Sequence, residues 1–367
     1  MHSIKSLKDS VKQAAAEAGF DLAGVAGVRE FPELDYFRRW VAEGRAGEMN
    51  YLQLRNEAGQ LKRAALYNAA PWARSVIVCA INYNTSQPYS TQAASQPDVS
   101  RRGWISRYAW SRRDYHDVVL KKLRQVEASL QAAVQKEAKG HQVQTRCYVD
   151  TGPLVERVYA RYAGVGWIGK NTCILNQRLG SWLFLGVILT SLDLTPDVPA
   201  ADRCGTCTRC IEACPTDALT APYELDSNRC ISYLTIEKRG EIPEVMREGM
   251  GWHVFGCDIC QDVCPWNRRS PTTNETEFQP RPRLVNPALD WLAEMPPEQF
   301  VENFRGSPVR RAKLSGLRRN AVVAMGNSRN AEFIPMLEKL TADSDPVIAS
   351  HAKWALERLK EQVAVRS

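Results

Sequence analysis

The stretch that organises the chain reads Cys204-Gly-Thr-Cys207-Thr-Arg-Cys210-Ile-Glu-Ala-Cys214-Pro215. A second run with similar spacing follows, Cys257-Asp-Ile-Cys260-Gln-Asp-Val-Cys264-Pro265. The first run supplies four cysteines and the second supplies three. Cys230 stands alone between the two runs. A proline follows the last cysteine of each run, where it stops a helix from continuing.

This spacing is typical of proteins that hold two [4Fe–4S] clusters. In a C-x2-C-x2-C-x3-C-P run, three cysteines bind one cluster and the fourth binds the other. Two such clusters need eight thiolates, which makes Cys230 the candidate for the missing ligand. We therefore expect two ligand sets, the first being Cys204, Cys207, Cys210 and Cys264, and the second Cys214, Cys230, Cys257 and Cys260.

Paired cysteines have two alternative uses. C-x2-C pairs also bind zinc, but three cysteines at this spacing followed by Cys-Pro, written nearly twice, favour iron–sulfur clusters. A disulfide framework is disfavoured because the chain is long, has 11 cysteines and shows no export signal. The remaining cysteines, Cys79, Cys147 and Cys173, lie in apolar or strand-like contexts and are interpreted as core residues.

Length and composition indicate two or three globular domains. The chain has 367 residues and a formal net charge of +7, which favours an anionic partner without identifying one. No apolar run reaches transmembrane length. The first residues contain neither a signal-peptide core nor a twin-arginine leader. We expect a cytoplasmic protein with no membrane partner.

Helices and strands alternate through the N-terminal half, which predicts an α/β or α+β domain. Apolar residues at three- and four-residue steps predict helices at 4–18, 31–42, 117–136 and 154–163. Apolar and β-branched runs predict strands at 20–26, 75–83, 143–149 and 181–190. The segment 85–98 is rich in Gln, Ser and Pro and is interpreted as a solvated loop, and the proline-rich segment 271–287 as a linker.

After Pro287 only helices are predicted, with a faint internal repeat. Asn320-Ala-Val-Val-Ala-Met and His351-Ala-Lys-Trp-Ala-Leu lie 31 residues apart. This period indicates stacked helix pairs of the HEAT type, with an ordinary helical bundle as the alternative.

A basic run precedes the first copy of this repeat. The residues from 305 to 319 include no acid and carry the cations Arg305, Arg310, Arg311, Lys313, Arg318 and Arg319. A charge run of this kind is either a solvated face or a phosphate-binding surface. The unbroken sign and the preference for arginine favour contacts with phosphates.

The stretch Val149-Asp150-Thr-Gly-Pro-Leu-Val-Glu-Arg157 holds the strongest candidates for chemistry. Asp150 ends a predicted strand and precedes a predicted helix, so it is either a helix cap or a general acid whose pKa is raised by a dry site. Arg157 follows two turns later and is placed to pair with Asp150 or with a substrate. Tyr115 and His116 are weaker candidates for proton donation. The chain has no P-loop and no dinucleotide-binding glycine motif.

Together these motifs resemble the epoxyqueuosine reductase family. The resemblance extends over essentially the whole chain and rests on Asp150-Thr-Gly-Pro-Leu, Gly164-Val-Gly-Trp-Ile-Gly-Lys-Asn-Thr172, both cysteine runs, and Cys230-Ile-Ser-Tyr-Leu-Thr-Ile-Glu237. It implies an α+β fold in three domains. These are an N-terminal α/β cobalamin-binding domain similar to reductive dehalogenases at 1–201, a ferredoxin-like domain with two [4Fe–4S] clusters at 202–272, and a tRNA-binding α-helical HEAT-like repeat at 288–367.

The resemblance also implies an activity and partners. The enzyme would reduce epoxyqueuosine to queuosine in the tRNA anticodon loop, the last step of queuosine biosynthesis. Electrons would pass from an external low-potential donor through both clusters to a cobalamin. The cobalamin would be bound base-off, without a histidine ligand to cobalt, in a monomeric protein.

Site residues follow from the same resemblance. Asp150 matches the proton donor to the epoxide oxygen, and Arg157 matches an active-site arginine. Contacts with cobalamin are implied for Arg63, Asp150 and Ser232. Contacts with tRNA are implied for Arg310, Arg311, Lys313, Arg318 and Arg319.

Two other functions were weighed against this one by the residues that each leaves unexplained. A small-molecule corrinoid enzyme similar to reductive dehalogenases would usually carry an export leader, and it would give the basic repeat no purpose. A non-enzymatic ferredoxin-type electron carrier would leave Asp150 and the large N-terminal domain without a role. A protein-docking repeat on such a carrier, meeting acidic proteins, would fit the arginines equally well. Salt-dependent binding to tRNA over other polyanions would separate tRNA binding from protein docking.

Overall fold

The N-terminal part of the chain alternates helices and strands, as predicted. The computed structural model describes residues 2–95, 98–137 and 142–364. The elements of this part are α1 His2–Glu17, β1 Leu22–Gly27, α2 Pro32–Ala42, β2 Ser75–Asn82, α3 Ser90–Ala93, β3 Trp104–Ile105, α4 Tyr115–Glu137, β4 Thr145–Tyr148, α5 Glu156–Tyr162, β5 Trp167–Ile168, β6 Ile174–Leu175 and β7 Leu183–Thr190. Strands β1, β2, β7 and β4 form one sheet in that order, and all three pairings are antiparallel. This is the pairing of an α+β domain.

Helices cover both faces of this sheet, which explains why β2 is buried along its whole length. On one face, Ile77 and Cys79 belong to the same apolar cluster as Val119 of α4. On the other face, Val76 and Val78 cluster with residues of α5. A strand that is covered on both faces has a continuous run of apolar residues in its sequence. This run is the pattern that predicts β2.

Two segments predicted to be loose are packed instead. Within 85–98, α3 places Ser90 and Ala93 in the interior, and the Ser90 hydroxyl donates to Asp262. Within 271–287, Phe278 is buried and packs edge-on against Phe184 with ring centroids 5.0 Å apart. Both predictions were wrong because composition reports the majority of a segment, whereas a few anchoring side chains decide its position. Residues 96 and 97 lie outside the described part of the chain.

The cysteine-rich part contains short elements that lie between the cysteines. They are α6 Arg209–Glu212, α7 Ile231–Ile236, α8 Glu244–Arg247, β8 His253–Phe255 and α9 Ile259–Asp262. Helices α6 and α9 contact each other, and each ends just before a Cys-Pro pair, as expected for a residue that cannot continue a helix. Strand β8 pairs in parallel with β3 of the N-terminal part.

The described C-terminal residues form helices, as predicted. These are α10 Leu289–Ala293, α11 Pro297–Phe304, α12 Lys313–Asn327, α13 Ile334–Leu340 and α14 Pro346–Ala364. The two copies of the sequence repeat lie on α12 and α14, which pack against each other, and their first residues, Asn320 and His351, are both fully buried. None of the helices within the described ranges is long and apolar enough to cross a membrane.

One apolar core joins the three parts. It contains Trp104 and Trp110 of the N-terminal part, Phe255 of the cysteine-rich part, and Leu317 and Ile348 of the C-terminal helices. Because this core crosses the expected domain limits, the three parts are packed as one body. The boundaries at residues 201, 272 and 288 stay predictions.

Candidate active site

A cavity of about 2490 Å³ is bordered by all three parts of the chain. Ordinary small-molecule pockets measure roughly 300–1,000 Å³, so this one has room for a large cofactor and a nucleotide together. The second predicted cysteine set and the carboxyl-bearing Asp150 and Glu156 both line it. So do three exposed cations, Arg310, Arg311 and Lys313, at its solvent-facing edge.

Some of the thiols within the first predicted set are neighbours. Burial, with the charges of Cys204 and Cys207, raises the pKa of Cys210 to about 11. Burial also raises the pKa of Cys264 to about 11, and its thiol neighbours include Cys204 and Cys210. Cysteine thiolates are the ligands that iron–sulfur clusters take, so the donor chemistry of this set fits a cluster.

The second set has the same property and a different position. Burial raises the pKa of Cys257 well above its usual range, and Cys230 and Cys214 add to this effect. Cys214, Cys230, Cys257 and Cys260 line the cavity, whereas the members of the first set do not. A cluster held by the second set would therefore lie at the cavity wall.

Hydrogen bonds hold the first cysteine run in shape. Lys170 Nζ donates to the carbonyl oxygens of Gly205 at 2.7 Å and Cys207 at 3.0 Å. The Ala218 amide donates to the Cys214 sulfur at 3.3 Å. Amides directed at sulfur stabilise the thiolate form, which is the form that binds iron.

Cys173 departs from its predicted role as a core residue. It lines the cavity and hydrogen-bonds with Cys260, which lowers the pKa of the Cys173 thiol to about 7. The sequence placed it in an apolar strand-like context, but the loop after β5 carries it toward the second cysteine set. Cys79, in contrast, is fully buried in the core of the sheet.

Asp150 lies immediately after β4 and presents its carboxyl group to the cavity. Its φ of 57° is a left-handed conformation that aspartate tolerates better than most residues. Helix α5 begins after Val155 without a side-chain cap, so the helix-cap role is excluded. The Tyr115 hydroxyl donates to Asp150 Oδ2, and the side chain remains 54% exposed, so it is free to act on a ligand.

Two aromatic residues beside Asp150 keep its surroundings polar and fixed. The Tyr115 ring stacks on Phe184 with centroids 4.2 Å apart, and burial and the Asp150 charge raise its pKa well above 10. Tyr115 therefore stays a hydrogen-bond donor. His116 Nε2 lies 3.8 Å from Asp150 Oδ2 while its Nδ1 lies 2.7 Å from Asp114. Burial by itself would lower the pKa of His116, but the hydrogen bond and charge of Asp114 outweigh it and raise the pKa.

Glu156 is a functional candidate that the sequence did not single out. It is 8% exposed, it lines the cavity, and its Oε1 has no hydrogen-bond partner. Burial and the negative charge of Asp150, whose main chain and side chain both lie within hydrogen-bonding reach, raise its pKa well above the usual range. Both effects favour the protonated carboxylic acid over the carboxylate. Its place in the first turn of α5, on the same face as the buried Tyr159 and Ala160, was the available signal.

The residues matched to cofactor and substrate roles are brought to the same cavity. Arg63 donates to the carbonyl oxygens of Asp150 and Leu154, each at 3.3 Å, and so holds the loop that carries the candidate acid. Arg157 does not pair with Asp150 as the sequence allowed, because it donates to the Thr172 carbonyl at 3.0 Å. Ser232 lines the cavity and its hydroxyl hydrogen-bonds with Cys230.

Three of the predicted tRNA-binding cations lie where a polyanion can reach them. Arg310 and Lys313 are exposed at the cavity edge and, within the described residues, have no ion-pair partner. Arg311 is exposed but is ion-paired with Glu237 and lies over the Tyr51 ring at 5.0 Å. These contacts orient Arg311 without burying it.

Two of the predicted tRNA-binding cations are structural. Arg319 is 1% exposed, and its guanidinium donates to the carbonyl oxygens of Leu234, Lys238 and Gly240. Arg318 donates to the Ala293 carbonyl at 2.7 Å and to Asp343 at 2.6 Å. The expectation that Arg319 contacts tRNA is wrong because its side chain points into the molecule, and the charge of Arg318 is already neutralised.

Family models match two regions of the chain. The one described as "4Fe-4S double cluster binding domain" matches residues 203–267, which include all eight predicted ligands. The one described as "Epoxyqueuosine reductase QueG, DUF1730" matches residues 63–151, which end just after Asp150.

Solved structures match over nearly the full length. A structure described as epoxyqueuosine reductase with a tRNA-Tyr epoxyqueuosine-modified stem loop superposes with a TM-score of 0.83 at 31% identity, covering 99% of this chain and 94% of that chain. The Bacillus subtilis enzyme, described with its catalytic aspartate loop swung out of the active site, superposes with a TM-score of 0.82 at 30% identity, covering 99% of this chain and 94% of that chain.

Curated relatives share the same name. The epoxyqueuosine reductase of Xanthomonas campestris is 38% identical over 347 residues, covering 94% of both chains. That of Synechocystis is 42% identical over 303 residues, covering 81% of this chain and 98% of the relative. Identity of this extent over sequences of nearly the same length shows that the chain belongs to the epoxyqueuosine reductase family of oxidoreductases.

Proposed function

We propose that the chain reduces epoxyqueuosine to queuosine in the anticodon loop of tRNA. The observation that carries this proposal is the cavity in which four candidate cluster thiols and the Asp150 carboxyl lie on a common lining. Electrons and protons can therefore be delivered to one bound molecule. The reaction consumes two electrons and two protons, opens the epoxide, and yields an alkene and water.

We propose two [4Fe–4S] clusters and a cobalamin as the cofactors. Cys204, Cys207, Cys210 and Cys264 would hold one cluster, and Cys214, Cys230, Cys257 and Cys260 the other. A cobalamin bound in the cavity would supply a strongly reducing cobalt centre. Arg63 and Ser232 border the space that it would fill. We propose that the cobalamin binds base-off and without a histidine ligand. His116 is the histidine among the described lining residues, and its two nitrogens face Asp114 and Asp150, which supports the absence of a histidine ligand.

Asp150 is assigned the protonation of the epoxide oxygen. It is half-exposed in the cavity and is oriented by the Tyr115 hydroxyl. A positioned acid of this kind typically contributes about 10²–10⁴-fold to the rate. Arg157, anchored through Thr172, borders the same space and is assigned to substrate binding.

Glu156 is assigned the second proton. After Asp150 has given up its proton, the Glu156 carboxylic acid can transfer its own to the Asp150 carboxylate: one O–H bond breaks and another forms. The Glu156 carboxylate that remains is stabilised by the positive charge of Arg63. When two neighbouring carboxyl groups have different environments, their pKa values differ, and one can stay protonated while the other is ionised.

Substrate tRNA is assigned to the cationic edge of the cavity. Arg310, Arg311 and Lys313 are placed to bind phosphates that flank a nucleotide inserted into the cavity. We further propose HEAT-like stacking of the C-terminal helices, an N-terminal domain of the reductive dehalogenase type, domain limits at 201, 272 and 288, and a monomeric cytoplasmic protein.

The decisive experiment uses protein purified without oxygen, loaded with iron and cobalamin, and reduced with dithionite. A tRNA stem loop bearing epoxyqueuosine is the substrate, and mass spectrometry of its nucleosides detects the loss of one oxygen atom. The Asp150→Asn variant, with iron and cobalamin contents equal to wild type, is expected to be slower by about 10²-fold or more. Wild-type protein that binds both cofactors but leaves the nucleoside unchanged would exclude the proposed reaction. Asp150→Asn turnover at the wild-type rate would remove only the role of Asp150.

A further inference from the structure

Five exposed arginines lie around the first cysteine set, and none of them lines the cavity. We call them the arginine patch; they are Arg178, Arg203, Arg209, Arg268 and Arg269. Arg209 lies between Cys207 and Cys210, and Arg268 and Arg269 follow Cys264 closely in the chain.

Contacts join the segments that carry the patch. The Gln177 side-chain amide is oriented with its oxygen toward Arg203. Two nitrogens of the Arg203 guanidinium donate to that oxygen, at 2.6 and 3.0 Å, so Arg203 lies beside the loop that carries Arg178. The same loop meets the end of the second cysteine run, since a Cβ added to Gly180 would lie 2.1 Å from Ser270 Oγ. The patch is therefore one surface rather than scattered charges.

The charge of this surface is not neutralised within the molecule. Within the described residues, no ion pair involves any of the five arginines. The nearby acids in these segments are Asp202, which accepts hydrogen bonds from Tyr223 and from the Cys204 amide, and Glu212, which accepts from Thr208. Segments 176–180, 202–213 and 264–270 together carry a net charge of +3. Unpaired arginines on one face typically mark a surface that meets an anionic partner.

We propose that the arginine patch is the docking surface for the protein that reduces the clusters, and that this partner is an acidic one-electron carrier. The inference rests on the proposed function, because it needs a cluster in the first cysteine set. That set lies outside the cavity and the second set lines it, so the electron path runs from the patch through the first set to the second. Each encounter transfers one electron, oxidising the carrier and reducing a cluster. Two encounters supply the two electrons of one turnover.

The position of the patch distinguishes this partner from tRNA. The cations assigned to tRNA, Arg310, Arg311 and Lys313, line the cavity, where the reacting nucleotide must enter. The patch borders the other cluster and has no access to that nucleotide through the cavity lining. Charge complementarity chiefly raises the association rate of a transient complex and makes that rate sensitive to salt, which suits a carrier that must bind, transfer and leave.

The test compares two doubly substituted proteins with equal changes of charge. Arg268→Gln with Arg269→Gln alters the patch. Arg74→Gln with Arg329→Gln is the matched control, since these arginines are exposed and lie outside it. Arg74 precedes β2, and Asn82 at the other end of that strand donates to the Pro271 carbonyl. At 3.3 Å per strand residue, Arg74 lies about 25 Å from that contact at the end of the second cysteine run.

Reduction of the cluster-loaded proteins is followed by stopped-flow absorbance with photoreduced plant-type ferredoxin of acidic surface as the probe. The patch variant is expected to lose about tenfold in second-order rate constant at low ionic strength, and the control variant to match wild type. The difference should vanish near 1 M salt, where the Debye length is about 3 Å. Reduction by dithionite, iron content and dithionite-driven tRNA turnover should be unchanged in both variants.

Two results would overturn the docking proposal, and a third would overturn only the proposed reaction. Equal ferredoxin rates for both variants would show that the carrier docks elsewhere. A patch variant that loses tRNA affinity while keeping its ferredoxin rate would assign the surface to RNA. If wild-type protein accepts electrons from ferredoxin but fails to convert tRNA with dithionite, the proposed reaction fails while the docking surface stands.

Discussion

Replacing Arg319 by alanine should destabilise the protein and leave the tRNA-binding edge intact. The guanidinium donates to three main-chain carbonyls, of Leu234 at 2.8 Å, Lys238 at 3.0 Å and Gly240 at 2.7 Å. Hydrogen bonds from a charged group contribute about 1.5–3 kcal/mol each, so the three together contribute about 4–9 kcal/mol. Alanine leaves these carbonyl oxygens without donors.

Removing a buried charge also returns part of this free energy. Burial lowers the pKa of Arg319 from 12.5 to about 10. At about 1.4 kcal/mol per unit, holding the proton there costs on the order of 3 kcal/mol. The net loss in the free energy of unfolding is therefore about 1–6 kcal/mol, a range that includes the cost of disrupting other buried ionic groups. The hydrogen bonds stabilise the protein by more than burial of the charge destabilises it, because the guanidinium N–H groups of Arg319 donate to main-chain carbonyl oxygens held in fixed positions.

The assay pairs this variant with Arg310→Ala. Urea unfolding followed by tryptophan fluorescence measures stability, and filter binding of the tRNA stem loop at two salt concentrations measures affinity. Arg319→Ala should lower stability while the fraction that is folded binds tRNA normally. Arg310→Ala should leave stability within about 0.5 kcal/mol and reduce the salt dependence of binding by about one phosphate contact. Wild-type stability combined with weakened tRNA binding in Arg319→Ala would refute the buried position of this arginine.

Three further predictions follow from the site and the core. Cys230→Ser removes a ligand of the second set, and the iron content should fall from about eight to about four atoms per chain, with electron paramagnetic resonance showing one reduced cluster; retention of eight irons would exclude Cys230 as a ligand. Glu156→Gln keeps the shape of the side chain but has no proton to transfer, so turnover should fall about tenfold or more with a larger solvent deuterium isotope effect; an unchanged rate and isotope effect would exclude the proton reserve. Burial lowers the pKa of His351 from 6.5 to about 4, so between these pH values the unfolded state binds more protons than the folded state. The contribution of His351 to the free energy of unfolding is therefore fully present above about pH 6.5 and is lost as the pH falls toward 4. Urea unfolding should show this contribution falling by about 1.4 kcal/mol between pH 7.5 and 5.5, and His351→Gln should lose about that much less stability over the same interval than wild type.

Local patterns were sufficient to predict the double-cluster region and the strands of the sheet. The cysteine spacing is typical of such a region, whereas the division of the cysteines into two ligand sets stays a prediction. A run such as Ser75–Asn82 is apolar because both of its faces are covered. Asp150 was recognisable from its position after a strand, but its partner Tyr115 lies 35 residues away and meets it only through the packing of α4. Local sequence patterns do not predict contacts between residues so far apart in the chain. The proximity of Glu156 to Asp150 and Arg63 likewise depends on tertiary packing, so the sequence predicted no role for Glu156.

The error at Arg319 was avoidable from periodicity. Val322, Val323 and Gly326 follow it at steps of three, four and seven and are all buried, so Arg319 shares their face of α12. The sign of the charge was given more weight than the helical position. A cation at a core-facing position is expected to find carbonyl partners inside the molecule, because an unpaired charge there costs far more than a hydrogen-bonded one.

The buried face of α12 also connects the two halves of the site. Asn320 Nδ2 donates to the carbonyls of Thr235 and Val254, each at 2.8 Å, and so fixes α12 to α7 and β8. Helix α7 begins directly after Cys230 and is followed by Glu237, which pairs with Arg311 at the cavity edge. A candidate cluster ligand and a candidate tRNA-binding cation are thus held by the same short helix. Because the position of each depends on that helix, the hydrogen bonds from Asn320 to the main chain of α7 and β8 help to fix the spacing between the candidate ligand and the candidate cation.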